Sequence, residues 1–398
     1  MRVVLNQVSA LGLKAGIGHY AHQLYCALRK HAHDVDSIES YPTGWVRKVC
    51  DFYSRSRPRL DSRRSQYDVR RSRSVGSFML GGLHQIGFRV VANRFRAQHA
   101  RRHYQLYHEP NFIPLPCDVP TLATIHDLSL LLHPQWHTPE RVAHFHRHVD
   151  RALRQCTYFI SGSEAARREA IKTLSIPPER ITRIYHGIRE DLGPQSPAVV
   201  KRTLDELGLP RHYLLYVGTI EPRKNLLNLL KAYCGLPANY RSRYPLLLIG
   251  KWGWNAKELV DSICRLKEKG VIHAGYVPDR HLAAVYSGAR ALVYPSRYEG
   301  FGLPPLEMMA CGGAVLASTA DAIVETVGRK ACLLDPDDVD GWRKAMARVI
   351  ADQDWWRSLR YGTLDVARPF TWDRCALETL TVYRKLCAPE KKRVGRAA

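Results

Sequence analysis

The ten cysteines include no CxxC pair, which removes the close thiol spacing of zinc ribbons and dithiol redox centres. Scattered from Cys26 to Cys387, they read as reduced, mostly structural thiols. No uncharged apolar run approaches the roughly 18 residues needed to cross a bilayer. The start, Met1 to Asn6, goes straight into a strand pattern without the basic, apolar and cleavage regions of a secretory leader. A cytoplasmic location is therefore expected. No repeat of about 20 to 50 residues recurs, which excludes a solenoid. Acidic residues are also short: 37 Asp and Glu face 60 Lys and Arg, a formal charge of +23.

What is present is an ordinary globular balance, 45% hydrophobic and 24% charged, in a chain of 398 residues. That length exceeds one ordinary core, since domains average about 150 residues, so two lobes with a cleft between them are expected. Short Val, Ile, Leu and Tyr runs alternate with helical segments, the pattern of parallel sheets with crossover helices, and the class is α/β. The first half offers strands at Arg2–Gln7, Pro120–Ile125, Thr157–Ser161 and Ile181–Tyr185, with helices over Ile17–Lys30 and Arg141–Gln155. Periodicity lapses at Asp191–Pro197, where Gly, Pro and Ser cluster, and a linker is placed there. It restarts with strands at Tyr213–Gly218, Pro245–Gly250, Val271–Gly275, Ala291–Tyr294, Ala314–Ala317 and Cys332–Leu334.

Charge is concentrated. Between Arg47 and Arg102 fifteen Lys or Arg face three Asp, about half of the whole excess. Arginine runs there surround a Gly-rich apolar stretch, Val75–Val91. Two readings stay open: an insertion lying in an anionic membrane interface, or a solvated helix with a loop.

The most informative stretch is Tyr294-Pro-Ser-Arg-Tyr-Glu-Gly-Phe-Gly-Leu-Pro-Pro-Leu-Glu307, between a strand and a helix. Gly300 and Gly302 allow a tight turn and close approach to a ligand, and Pro304 and Pro305 suit a first helical turn. The unspent amides of that helix start favour an anion. Glu299 at the strand end and Glu307, expected in the first helical turn, can face one cleft. Beside a bound pyrophosphate they would be repelled unless they took sugar and ribose hydroxyls. A second strand-to-helix turn, Gly218-Thr-Ile-Glu-Pro-Arg-Lys-Asn225, places Arg223 and Lys224 where cations would stabilise a departing diphosphate. In the first half, Gly16-Ile-Gly18 opens a helix after the first strand, leaving backbone room for a phosphate or sugar. His126-Asp127 closes another strand, which puts an imidazole at the cleft edge, one of 18 histidines but favoured by position. Glu109 is a further cleft candidate. Asp34-Val-Asp36 and Asp338-Val-Asp340 imitate a metal-binding DxD but fall outside strand-end loops, so no metal ligand is assigned.

At these residues the chain resembles the GT4 family of retaining glycosyltransferases with the GT-B fold, particularly its mannosyltransferase-like bacterial branch. The family's Glu-x7-Glu signature falls on Glu299 and Glu307, and its Arg/Lys pair on Arg223 and Lys224. Gly250-Lys-Trp-Gly-Trp254, Gly275-Tyr-Val-Pro-Asp279 and Asp335-Pro-Asp-Asp338 are also similar. The first half matches more thinly, at Gly16-Ile-Gly18, His126-Asp-Leu-Ser129, Ser161-Gly-Ser163 and Tyr185-His-Gly-Ile188. Departures occur at Gly313-Ala314 and Ile323-Val324-Glu325.

The resemblance implies two Rossmann-like doubly wound domains facing a central cleft. They would be residues 1–193 on the acceptor side and 198–371 binding the nucleotide sugar, with 372–398 a helix returning to the first domain and a basic tail. It implies that Glu307 binds donor ribose and that Arg223 and Lys224 bind the pyrophosphate. Glu299 would bind the transferred sugar with the segment Gly300, Phe301, Gly302 and Leu303, and His126 would reach that sugar from the other domain. Gly16 and Gly18 would line the donor side. Retention of configuration without enzyme nucleophile, metal or cofactor is implied, with GDP-mannose as donor and a polyprenyl-diphosphate-linked saccharide as acceptor. Bacterial surface polysaccharide would be the product, made at the inner face of the cytoplasmic membrane. A soluble transferase using a UDP-sugar to make a small glycoside is the alternative. Nucleic-acid binding, suggested by the basic charge, leaves the Glu-x7-Glu turn unexplained and has no supporting motif.

Overall fold

The computed structural model describes residues 1–11, 16–32, 36–44, 48 and 90–388. Among them are two six-stranded sheets, parallel throughout. The first joins β1 (Arg2–Asn6), β2 (Ser37–Tyr41), β3 (Leu106–Glu109), β4 (Thr121–Ile125), β5 (Cys156–Ser161) and β6 (Ile181–Arg183) in the order β2-β1-β3-β4-β5-β6. The second joins β7 (Leu214–Val217), β8 (Leu246–Ile249), β9 (Val271–Gly275), β10 (Ala291–Tyr294), β11 (Val315–Ser318) and β12 (Cys332–Leu334) in the order β12-β11-β10-β7-β8-β9. Helices cover both faces of such sheets, so central strands are buried on both sides. Thr121–Ile125 and Leu246–Ile249 are accordingly buried throughout.

Each strand order reverses once, between β1 and β3 and between β7 and β10. The crevice beyond the carboxyl ends of strands at such a reversal is where open α/β sheets receive ligands. Two strands, β2 and β3, were not expected from the sequence, because Ser-Ile-Glu-Ser-Tyr and Leu-Tyr-His-Glu carry polar side chains where an apolar run would announce a strand. The strand expected over Ile181–Tyr185 ends at Arg183.

The second sheet has one continuous core around Tyr213, Tyr216, Leu247, Val293 and Leu316. The first sheet takes part of its core from the end of the chain. The helix Trp372–Cys387 buries Trp372, Cys375, Leu380 and Tyr383 against Val3, Leu5, Tyr20 and Leu24. Thr371 caps it, its hydroxyl oxygen accepting from the Arg374 amide at 3.2 Å. The chain therefore passes twice between the sheets, and the two passages touch: the Ile188 amide donates to the Phe370 carbonyl at 2.9 Å. A Cβ on Gly187 would stand 2.3 Å from the Trp372 nitrogen, so only glycine lets them run this close.

Most of the basic segment, residues 49–89, including nearly all of the apolar stretch Val75–Val91, lies outside the described residues. Residues 90–102 form a helix whose Phe95 packs on Tyr41 and Tyr107, at ring centroids 5.0 and 4.6 Å apart. No described helix is long and apolar enough to cross a membrane.

Candidate functional site

The β7/β10 reversal carries the densest charge. The loop leaving β7 turns through a short 3-10 helix, Pro222–Lys224, and the loop leaving β10 returns to it, the Arg297 amide donating to the Arg223 carbonyl at 2.9 Å. Arg223 donates from Nε to Glu221 at 2.6 Å, and from Nη1 to Glu299 at 2.8 Å and the Tyr298 carbonyl at 3.0 Å. Lys224 donates to the Tyr294 hydroxyl at 2.8 Å and to the other Glu299 oxygen. The structure thus brings Arg223, Lys224 and Glu299 into one buried cluster and adds Glu221 and Tyr294, which the sequence did not single out.

Burial works against the Glu299 carboxylate, but Arg223 and Lys224 outweigh it and hold its pKa down to about 2. Burial likewise works against the Arg223 charge, and Glu299, Glu221 and Asp127 together raise its pKa. Burial and the adjacent guanidinium push Lys224 down. Buried ion pairs contribute little net stability after desolvation, so charge gathered at a topological reversal points to ligand chemistry.

Glu307 stands in the second turn of the helix Leu303–Ala310, not the first, because the helix begins at Leu303 behind Gly302. It accepts from the Tyr286 hydroxyl at 2.7 Å, and burial raises its pKa. It does not join the Arg223 cluster. Its charged neighbour is Arg189, which binds Asp191 at 2.8 and 2.9 Å and pairs with Asp279 at 3.3 Å. The helix start has no side-chain cap, and since Pro304 and Pro305 carry no N–H, the amide of its first turn open to an acceptor oxygen is that of Leu303. Gly302 sits in the left-handed region at φ 90°, as the turn requires.

Two glycines expected to make room for a ligand make room for protein instead. A Cβ on Gly300 would lie 1.8 Å from the His126 carbonyl oxygen, and one on Gly18 would lie 2.5 Å from the Ser9 carbonyl oxygen. Gly16, at φ 44°, has open space at its Cβ. Beside them His19 reaches Asp279 at 3.8 Å, which brings the start of the helix Ile17–His31 to the second sheet's ligand edge. The Phe301 ring is buried against His186, at a centroid distance of 4.8 Å, and packs with Phe370 and Leu306. Any ligand contact at Phe301 would therefore be through its backbone.

His126 ends β4 as expected, but both its ring nitrogens are engaged, Nε2 with the Pro110 carbonyl at 2.8 Å and Nδ1 with His186 at 3.4 Å. A carbonyl can only accept, so Nε2 carries the proton and Nδ1 takes one from His186 Nε2. Burial lowers the pKa of both rings and keeps them neutral. Asp127, beside it, is held in the charged form by Arg223 and by Ser129, whose amide and hydroxyl donate at 2.9 and 2.7 Å, against the effect of burial.

At the β1/β3 reversal, Glu109 is buried and accepts from Asn6 at 2.6 Å, Tyr107 at 2.6 Å and the Asn111 amide at 3.0 Å. With no cation to offset burial, its pKa rises to about 7. Of the DxD segments, Asp34 lies outside the described residues, Asp338 caps the helix Val339–Ala351, and Asp340 pairs with Arg343 and Lys344.

The two halves meet over this site. The Ser163 hydroxyl donates to the Gly300 carbonyl at 2.7 Å, and the Glu325 carboxylate accepts the Glu164 and Ala165 amides at 2.7 and 2.9 Å. The Tyr298 hydroxyl accepts from the Leu128 amide at 2.9 Å and donates to Glu169. No sequence period connects these residues; the partners are 129 to 170 positions apart.

Comparison with known proteins places both halves. Residues 15–192 match the family described as Glycosyltransferase Family 4 and residues 205–362 the one described as Glycosyl transferases group 1. The chain is 37% identical over 284 residues to the O-antigen chain mannosyltransferase B of Escherichia coli, covering 71% of this chain and 74% of that one. It is 30% identical over 286 residues to the serotype-specific mannosyltransferase WbdA of Escherichia coli, a longer protein of which the match spans 35%, and 69% of this chain. Among solved structures, sucrose-phosphate synthase from Thermosynechococcus elongatus superposes with a TM-score of 0.70 at 20% identity, over 96% of this chain and 98% of that one. That likeness concerns the fold alone.

Proposed function

The chain belongs to the glycosyltransferases of family 4, with the GT-B fold, and from that premise we propose that it transfers mannose from GDP-mannose to a lipid-linked saccharide during synthesis of a bacterial surface polysaccharide. The observation that carries this reading is the Arg223–Lys224–Glu299 cluster at the β7/β10 reversal, in a chain 37% identical to an O-antigen mannosyltransferase. Glu299 and Glu221 hold the Arg223 guanidinium from Nη1 and Nε, and Nη2 has no protein partner among the described residues. That nitrogen, the Lys224 ammonium and the uncapped start of the helix Leu303–Ala310 would receive the diphosphate and stabilise the charge it gains as the sugar–oxygen bond breaks. Glu307 would take ribose hydroxyls and Glu299 a hydroxyl of the transferred sugar.

In this reading configuration is retained: the acceptor hydroxyl attacks from the face the diphosphate leaves, a phosphate oxygen takes its proton, and neither a metal nor an enzyme nucleophile takes part. The enzyme would work at the cytoplasmic face of the membrane, its basic segment against anionic lipid.

The test is incubation of purified protein with GDP-mannose or UDP-glucose, with and without a bacterial membrane lipid extract. Nucleotide diphosphate release and labelled sugar entering the lipid phase are both measured. Lipid-dependent transfer from GDP-mannose, lost in Lys224→Ala and Glu307→Ala, is the expected result. Transfer from UDP-glucose to a water-soluble glycoside would replace this donor and acceptor, and release from neither nucleotide sugar would sink the reading.

A further inference from the structure

Among the buried polar atoms left without a partner, two flank the Gly253–Trp254 loop, one from each half of the molecule. Glu221 is 2% exposed; its Oε1 accepts from Arg223, and its Oε2 makes no hydrogen bond among the described residues. His137 is 6% exposed; its Nε2 meets the Ser129 hydroxyl at 2.9 Å, and its Nδ1 is unpartnered. Leaving a buried polar atom without a hydrogen bond is costly, so these two ask for an explanation.

The protonation of His137 follows from its neighbours. The Ser129 hydroxyl donates to the Asp127 carboxylate at 2.7 Å, so its oxygen has a lone pair for the His137 Nε2–H. Nδ1 is then a bare acceptor. Burial, aided by Arg141, lowers the ring's pKa to about 4 and keeps it neutral. Both orphan atoms are therefore acceptors, and what they lack is donors.

One loop links them. A Cβ on Gly253 would stand 3.1 Å from the Glu221 Cβ, and the adjacent Trp254 stacks on His137 at 5.6 Å between centroids with the planes 25° apart. The Arg141 guanidinium lies 3.8 Å from the centre of the same indole. Trp254 and Asn255 bind across the seam, to the Trp136 carbonyl at 2.7 Å and the His137 carbonyl at 3.1 Å. The loop thus packs against both residues that carry the unpaired acceptors.

We propose that Glu221 Oε2 and His137 Nδ1 form a subsite for the acceptor saccharide, each accepting a hydrogen bond from a sugar hydroxyl when the Gly253–Trp254 loop admits it. The inference rests on the transfer reading above and adds the acceptor side to it. A polyol is the ligand class that supplies several neutral donors at once. A phosphate or carboxylate brings acceptors to acceptors.

The experiment measures transfer from GDP-mannose to octyl α-mannoside and to the lipid extract, varying donor and acceptor concentrations separately, in the parent, in Glu221→Gln and in His137→Phe. Glutamine retains an oxygen for Arg223, and phenylalanine retains a ring against Trp254. Each variant is expected to raise the acceptor KM at least tenfold, and in His137→Phe, which does not touch Arg223, the donor KM is expected to move less than about twofold. Unchanged acceptor KM values in both variants would overturn the subsite, with buried water satisfying the two atoms. So would donor and acceptor KM rising together in His137→Phe, which would make that residue a support of the Arg223 loop. A parent that transfers from no nucleotide sugar would overturn the transfer reading itself, a failure visible before any variant is made.

Discussion

The two strand-order reversals of this molecule are built from opposite materials. At β7/β10 two cations and two carboxylates are buried together, and the cations hold Glu299 at about pKa 2. At β1/β3 a carboxylate is buried among an amide, a phenol and a backbone N–H with no cation, and Glu109 rises to about pKa 7. The difference teaches what each end is equipped to meet. In the proposed transfer the fixed charges would meet the diphosphate, whereas the network at Glu109 ties Asn6, Tyr107 and Asn111 to one another.

Breaking the charged end should have the largest effect. Lys224→Ala leaves Glu299 with one of its two cationic partners, and the transfer rate is expected to fall about 100- to 1000-fold, the scale of losing a preorganised donor. Steady-state kinetics with labelled donor reads it directly. A loss below tenfold would mean that Arg223 and the helix start suffice.

The neutral end predicts a pH effect on folding of about 3 kcal/mol. With the Glu109 pKa raised from its ordinary 4.5 to about 7 by burial, folding favours the protonated acid. This contribution is fully present below about pH 4.5 and is lost as pH rises through 7. Denaturant unfolding between pH 5 and 8 should show parent stability falling relative to Glu109→Gln across that window. Parallel profiles would remove Glu109 as the titrating group.

A third change tests the seam joining the two ends. Gly300→Ala puts a methyl group against the His126 carbonyl, backbone on backbone, which has no flexible end to yield. Transfer should fall at least tenfold while each half keeps its own unfolding behaviour, followed by hydrogen exchange of the β4 and β10 amides. The smallest effect is expected at Glu325, which caps the helix Glu164–Leu174 from the other half. Glu325→Ala should cost about 1 kcal/mol, seen as faster exchange of the Glu164 and Ala165 amides.

Much of this was legible beforehand because it is local. Ten of the twelve strands were anticipated as apolar runs, and Arg223, Lys224 and Glu299 stood out on strand-to-helix turns. The strands β2 and β3 escaped because their polar side chains find partners that no local pattern announces: Glu39 with Tyr104 at 2.8 Å, and His108 with Tyr383 of the last helix at 2.6 Å. Gly300 was recognised as a turn glycine, but the atom that requires it belongs to His126, 174 positions earlier. Trp254 was visible only within the segment Gly250–Trp254, and Arg141 and His137 carried no site signal; their meaning lies in stacking across the seam.

The sequence by itself determined the α/β class, the position of the charged turns and the family, since hydrophobic period and motif order are properties of neighbouring residues. The tertiary structure alone decided which charges share a carboxylate, which imidazole nitrogens keep a proton, and which buried acceptors remain unpaired. Those depend on distances of a few ångströms between segments remote in the chain, where burial turns a small difference in partner into a large difference in energy.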